Sequence, residues 1–128
     1  MPQVVALKAH RGSRRLDVRF DDGREAQLSF EYLRVYSPSA ELWGHGRREP
    51  QLVGGKQAVG LQRVERVGHY AVRLVFDDGH DSGLYSWDVL DRLARDHDRL
   101  WPRYLERLAA AGMRRDRDVM TLRALRPE

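Results

Sequence analysis

Residues 18–33, VRFDDGREAQLSFEYL, and residues 74–90, LVFDDGHDSGLYSWDVL, are two copies of one pattern, the second longer by one residue. Phe20 aligns with Phe76, Gly23 with Gly79, Ser29 with Ser86 and Leu33 with Leu90. Each copy predicts strand, turn, strand and short helix. Leu16, Val18 and Phe20 alternate with Asp17, Arg19 and Asp21, the period of a half-buried strand. Asp22-Gly23 and Asp78-Gly79 read as hairpin turns, because glycine takes the positive φ such a turn needs without steric penalty. Ser29 and Ser86 stand just before the helical stretches, where a serine oxygen can accept a bond from an orphaned helix N–H.

Between the copies, residues 33–60 are rich in Pro, Gly and Ser and predict a long loop rather than a regular element. Residues 58–67 predict a further strand, turned back by Gly68-His69 into a strand over 70–76. After Ser86 the period becomes helical. Trp87, Leu90, Leu93, Ala94 and His97 share one face, and Trp101, Tyr104, Leu105 and Leu108 share another. Pro102 suits a first helical turn and not an interior, which places a break between two helices near residues 99–101. Gly112 ends the second helix, and residues 113–128 are expected to form a tail that is weakly ordered or packed only through Val119, Met120 and Leu122. The expectation is one α+β domain over residues 1–112, made of antiparallel β-hairpins with two or three helices, including a C-terminal helical pair.

A chain of 128 residues is long enough for a hydrophobic core without staples. It contains no cysteine, which excludes disulfides, thiolate metal sites and cysteine nucleophiles and fits a reducing cytoplasm. No apolar run is long enough for a signal peptide or a membrane span, so no membrane partner is expected. The net charge of +4 and a pI near 9.8 raise the question of nucleic acid. The arrangement answers against it. Lys8 and Lys56 are the only lysines, and the arginines are interleaved with acids, as on a solvated, ion-paired surface. The densest basic spots, Arg11, Arg14 and Arg15 and then Arg114, Arg115 and Arg117, make no evident track for phosphates.

Catalytic motifs fail on spacing. Ser82 in GHDSG follows a hairpin turn and lies outside a G-x-S-x-G elbow. VGGKQ, residues 53–57, lacks the spacing of a phosphate-binding loop. The pairs Asp21-Asp22 and Asp77-Asp78 are turn aspartates, solvated and without need of a raised pKa. Trp87 and Trp101 at helical spacing read as packing residues.

The segments SPSAELWGHG (37–46) and FDDGH-SG-YSW (76–87), taken together, resemble the gamma-butyrobetaine hydroxylase-like N-terminal domain, also called DUF971. The resemblance runs over roughly residues 4–112. It implies a small domain that occurs alone in bacteria, precedes the catalytic domain of gamma-butyrobetaine and trimethyllysine hydroxylases, and is fused to Mrp-type ATPases of iron-sulfur cluster assembly. In the hydroxylases the corresponding loop holds three zinc-binding cysteines, completed by the histidine that matches His80. Here Ser37, Ser39 and Leu42 fill the cysteine positions, so three of the four ligands are gone. No H-x-D or H-x-E pair exists among the five histidines, so the iron site of the oxygenase domain has no counterpart either.

The expectation is therefore a non-catalytic domain that binds a protein partner, with no cofactor. Its interaction face is placed on Ser37, Ser39, Glu41, Trp43, His45, Arg47 and Arg48. Trp43 has two readings, an exposed hot spot or a ring folded back to close the loop. The alternative class is a metal-binding protein connected with iron or iron-sulfur chemistry, with His80 and His45 as ligands for zinc or iron, helped by Glu41 and Asp78 or Asp81. Against this stands a structural His80 that holds the loop to the second hairpin by hydrogen bonds. Nucleic-acid binding is the third class.

Overall fold

The repeat is longer than the quoted stretch. The computed structural model, which describes residues 2–116, has strands β1 (Val4–His10), β2 (Arg15–Phe20) and β3 (Glu25–Ser29), then helices α1 (Phe30–Val35) and α2 (Ala40–Trp43). Strands β4 (Leu61–Val67), β5 (Ala71–Phe76) and β6 (Leu84–Ser86) follow, then α3 (Trp87–Arg95) and α4 (His97–Ala111). The unit is thus three strands and a helix, β1-β2-β3-α1 and again β4-β5-β6-α3. Each trio is an antiparallel sheet in sequence order.

The two copies agree in detail. Gly23 (φ 88°) and Gly79 (φ 89°) close the turns in the left-handed region. Gly23 N–H donates to the Phe20 carbonyl and Gly79 N–H to that of Phe76. Asp22 Oδ1 accepts from the Arg24 N–H, and Asp78 Oδ1 from the His80 N–H. The first strand of each copy carries an irregularity in register at the same place, between Val4 and Ala6 and between Leu61 and Arg63. Ser29 caps α1 by accepting from the Tyr32 N–H, and Ser86 caps α3 by accepting from the Val89 N–H.

The copies are also cross-linked. The turn of the first is ion-paired to the helix of the second, Arg24 to Asp91 at 2.6 Å. The turn of the second is ion-paired to the helix of the first, Asp78 to Arg34 at 2.8 Å. Arg34 and Asp91 are equivalent positions, each following the aligned leucine, with the charges exchanged. One hydrophobic cluster spans both copies, from Leu16, Val18 and Phe20 to Leu74, Phe76 and Leu90, and extends to Tyr104 and Leu108 of α4. The domain is therefore single. Its buried tyrosines keep their hydroxyls satisfied, Tyr32 on the Leu93 carbonyl, Tyr36 on that of Leu100 and Tyr104 on that of Val53.

Four local expectations are corrected. The helix break lies at Asp96, which closes α3 and opens α4, and Pro102 sits inside α4. Proline forfeits the bond to the carbonyl four residues earlier, that of Asp98, and Asp98 is exposed, so water can satisfy it. Leu105 is exposed rather than on the packed face. The 33–60 segment contains the one-turn helix α2, and its later part is pinned by Arg107 to the Pro50 carbonyl and by Arg103 to Glu49. Residues 113–116 are tied to the body instead of hanging free: the Gly55 and Gln57 N–H groups donate to the Arg114 and Arg115 carbonyls. Arg115 also makes a two-pronged pair with Glu31. Val119, Met120 and Leu122 lie outside the described residues. Among the described residues no helix is long and apolar enough to cross a membrane.

Candidate functional site

The second hairpin and the 37–43 loop meet through a buried polar clamp. His80 is placed by the turn at Gly79 and is only 5% exposed. Its Nε2 lies 2.8 Å from Ser37 Oγ, and its Nδ1 lies 3.4 Å from Glu41 Oε2. The carboxylate favours the proton on Nδ1, which leaves Nε2 to accept the Ser37 hydroxyl proton. Ser37 Oγ also accepts from the Ser39 N–H, and Ser39 Oγ pairs with Ser82 Oγ at 2.7 Å. Ser39 is in addition the N-cap of α2. The Trp43 indole N–H donates to the Ser37 carbonyl at 2.9 Å, so the ring is half-buried and folded back. Gly83 makes the approach possible, since a Cβ there would stand 2.5 Å from Ser37 Oγ.

Charges around the clamp set its protonation. Burial pushes the His80 pKa down, the Arg34 guanidinium adds to this, and the Glu41 and Asp78 carboxylates oppose it without winning. The imidazole is neutral at neutral pH. Burial alone would raise the Asp78 carboxyl, but Lys56, the His80 N–H and Arg34 together bring it down to about 2. Lys56 Nζ and Arg34 Nε each stand 2.8 Å from Asp78 Oδ2.

The order Glu41, His80, Ser37 resembles a catalytic triad in sequence of contacts, but Ser37 is 0% exposed, so no substrate atom reaches its Oγ. The arrangement holds structure. The zinc site implied by the family does not fit these residues either. Both nitrogens of His80 already have partners, the two serine hydroxyls are hydrogen-bonded, and Leu42, buried in the loop, has no donor atom. Among the described residues no group of three or more His, Asp or Glu side chains is placed to hold a metal. His45 is exposed and has no hydrogen bond or ion pair to His80.

The other side of the loop forms one wall of an open groove of about 820 Å³. Trp43, Pro38 and Pro50 face Val89 and Leu93 of α3 and Leu100 of α4 across it. Arg48, Arg92, Arg99 and Arg103 stand around these apolar groups, with Glu49 beside them. Of the residues assigned to an interaction face, the structure gathers Trp43 and Arg48 here. Ser37, Ser39 and Glu41 belong to the clamp, and His45 and Arg47 are exposed on the loop. Arg92, Arg99 and Arg103 were not anticipated. Arg99 and Arg103 are four apart on α4 and share one helical face, whereas Arg92 lies on α3 and joins them only through the packing of the two helices. Of the basic spots singled out in the sequence, Arg11 is bonded to the Leu61 and Gln62 carbonyls, Arg15 is paired with Asp17, Arg114 with Asp116 and Arg115 with Glu31, while Arg117 lies outside the described residues.

Comparison with known proteins places this architecture. An NMR structure with 49% identity covers 100% of this chain and 94% of its own, with a TM-score of 0.80. A second NMR structure has 48% identity over 95% of this chain and 96% of its own, again with a TM-score of 0.80. A crystal structure of a DUF971-family protein of unknown function from Acidithiobacillus ferrooxidans has 39% identity, covers 72% of this chain and 92% of its own, and has a TM-score of 0.61. No curated protein matches. The profile of the family described as gamma-butyrobetaine hydroxylase-like, N-terminal, matches residues 7–91, which hold both hairpins and the clamp between them, and the chain belongs to that family.

Proposed function

We propose that the protein is a non-catalytic interaction module whose working face is the 37–50 loop with the groove behind it. The observation that carries this reading is the clamp: hydrogen bonds between His80 and Ser37 and between Ser39 and Ser82, together with the buried Leu42 side chain, hold the loop against the second hairpin. A rigid loop presents Trp43 and Arg48 in one geometry, which lowers the ordering cost of binding a partner. Trp and Arg are also the residue types that dominate interface energetics. Attachment of such domains to hydroxylases and Mrp-type ATPases, which the family resemblance implies, fits an accessory role.

The test is site-specific photo-crosslinking in cells, with the reactive side chain at position 48 and, as control, at the exposed position Arg66 on β4. Discrete adducts from position 48 and none from 66 are expected. Equal yields from both positions, or none from 48, would remove the reading.

A further inference from the structure

We propose that the groove between the 37–50 loop and helices α3 and α4 docks an acidic segment of a partner protein that also carries bulky apolar side chains. This rests on the interaction-module reading and names the chemistry of its partner. The groove's volume, about 820 Å³, lies within the roughly 300–1,000 Å³ of sites that enclose ligand groups. Its apolar surface, from Pro38 and Trp43 to Val89 and Leu100, is half-buried and would be removed from water by binding.

The charges around it are unevenly matched. Arg99 has Asp96 at 3.1 Å, and Arg103 has Glu49 at 2.9 Å and Glu106 at 3.3 Å. Arg48 and Arg92, both exposed, make no side-chain hydrogen bond or ion pair among the described residues. Two guanidinium forks are thus unpaired on the rim of an apolar groove. Carboxylates on the occupant would complement them in two-pronged geometry while its apolar side chains cover Trp43 and Val89.

Other occupants fit less well. Residues 117–128 of this chain carry three arginines against Asp118 and Glu128, the wrong balance for a rim of arginines. A nucleic-acid strand would leave the proline and leucine surface of the groove without base partners.

The experiment selects binders from a displayed library of random peptides of about a dozen residues, against the full chain, and then measures the winners on an Arg48→Glu, Arg92→Glu double variant. Both arginines are exposed, so the variant is expected to fold, and its thermal midpoint checks this. The expected result is enrichment of Asp or Glu next to Leu, Phe or Trp. A synthetic winner should shift the Trp43 indole resonance, bind the double variant about tenfold or more weakly, and lose affinity as salt rises. Enrichment of neutral or basic peptides that still shift Trp43 would overturn the acidic occupant and leave the module reading standing. Winners that bind the double variant equally well would overturn the groove as their site. No binders from the library, together with no adducts from position 48, would overturn both readings. An oligothymidylate run as second probe that shifted Trp43 at lower concentration than the peptides would replace the acidic segment with nucleic acid.

Discussion

His80 shows what one residue does in this fold. It is the counterpart of Arg24 in the first copy, but where Arg24 reaches an aspartate on a helix, His80 turns inward to a serine hydroxyl 43 positions earlier. Replacing it with glutamine removes the ring from a buried network and is expected to cost about 1–3 kcal/mol at neutral pH. The pH dependence has a definite sign. Burial and Arg34 lower the folded-state pKa below the ordinary 6.5, so below that pH the unfolded chain takes up a proton that the folded chain refuses. Wild-type stability should therefore fall as pH drops from about 7.5 to about 5, more steeply than that of His80→Gln. Urea unfolding of both proteins across that range measures it. A difference between them that is constant with pH would mean that His80 does not remain neutral in the fold. The identity of His80 as a residue of interest was legible in the sequence; its partner Ser37 was legible only through the family resemblance, because nothing local links positions so far apart.

At the scale of elements, the hairpins argue from glycine. Gly23 and Gly79 have nearly the same φ, and neither has an atom within 4 Å of the position a Cβ would take. Substitution by alanine therefore meets only the backbone penalty of the left-handed region, about 1–2 kcal/mol, and the two costs should agree to within about 0.5 kcal/mol. Chemical denaturation of Gly23→Ala and Gly79→Ala checks this. A much larger loss at Gly79 would show that the second turn carries the clamp's strain as well as its own. Both turns, both serine caps and the alternation of β2 were readable because each depends on two or three neighbouring residues. Strand β1 was not. The irregularity between Val4 and Ala6 interrupts the period of two, and its residues are half-buried or exposed rather than cleanly alternating.

For the whole molecule, the exchange of contacts between copies is what makes one domain of two repeats. Each turn is paired with the other copy's helix, and α4 and residues 113–116 close the structure over the connecting segment. A chain ended at Gly112 would lose three backbone hydrogen bonds, the Met113 packing and the Arg115–Glu31 pair. Relative to a chain ended at Asp116, it should be less stable by about 2–4 kcal/mol, read from thermal or urea unfolding. Equal stability of the two would show that these four residues rest on the surface without holding it. The family resemblance covered the architecture at this scale, but not the path of residues 113–116, since a glycine that ends a helix does not say where the chain goes next.

The sequence by itself determined the repeat, the hairpin turns, the capped helices, the lack of thiolate chemistry and the family. Those features are local: a period of two, a positive φ at glycine, a serine oxygen beside a free N–H. Only the tertiary structure decided that Ser39 bonds Ser82 across the clamp, that Trp43 is folded back on its own loop, and that arginines from the loop, α3 and α4 surround one apolar groove. These depend on how helices pack across the two copies and on where a long loop closes, and no short-range pattern encodes either.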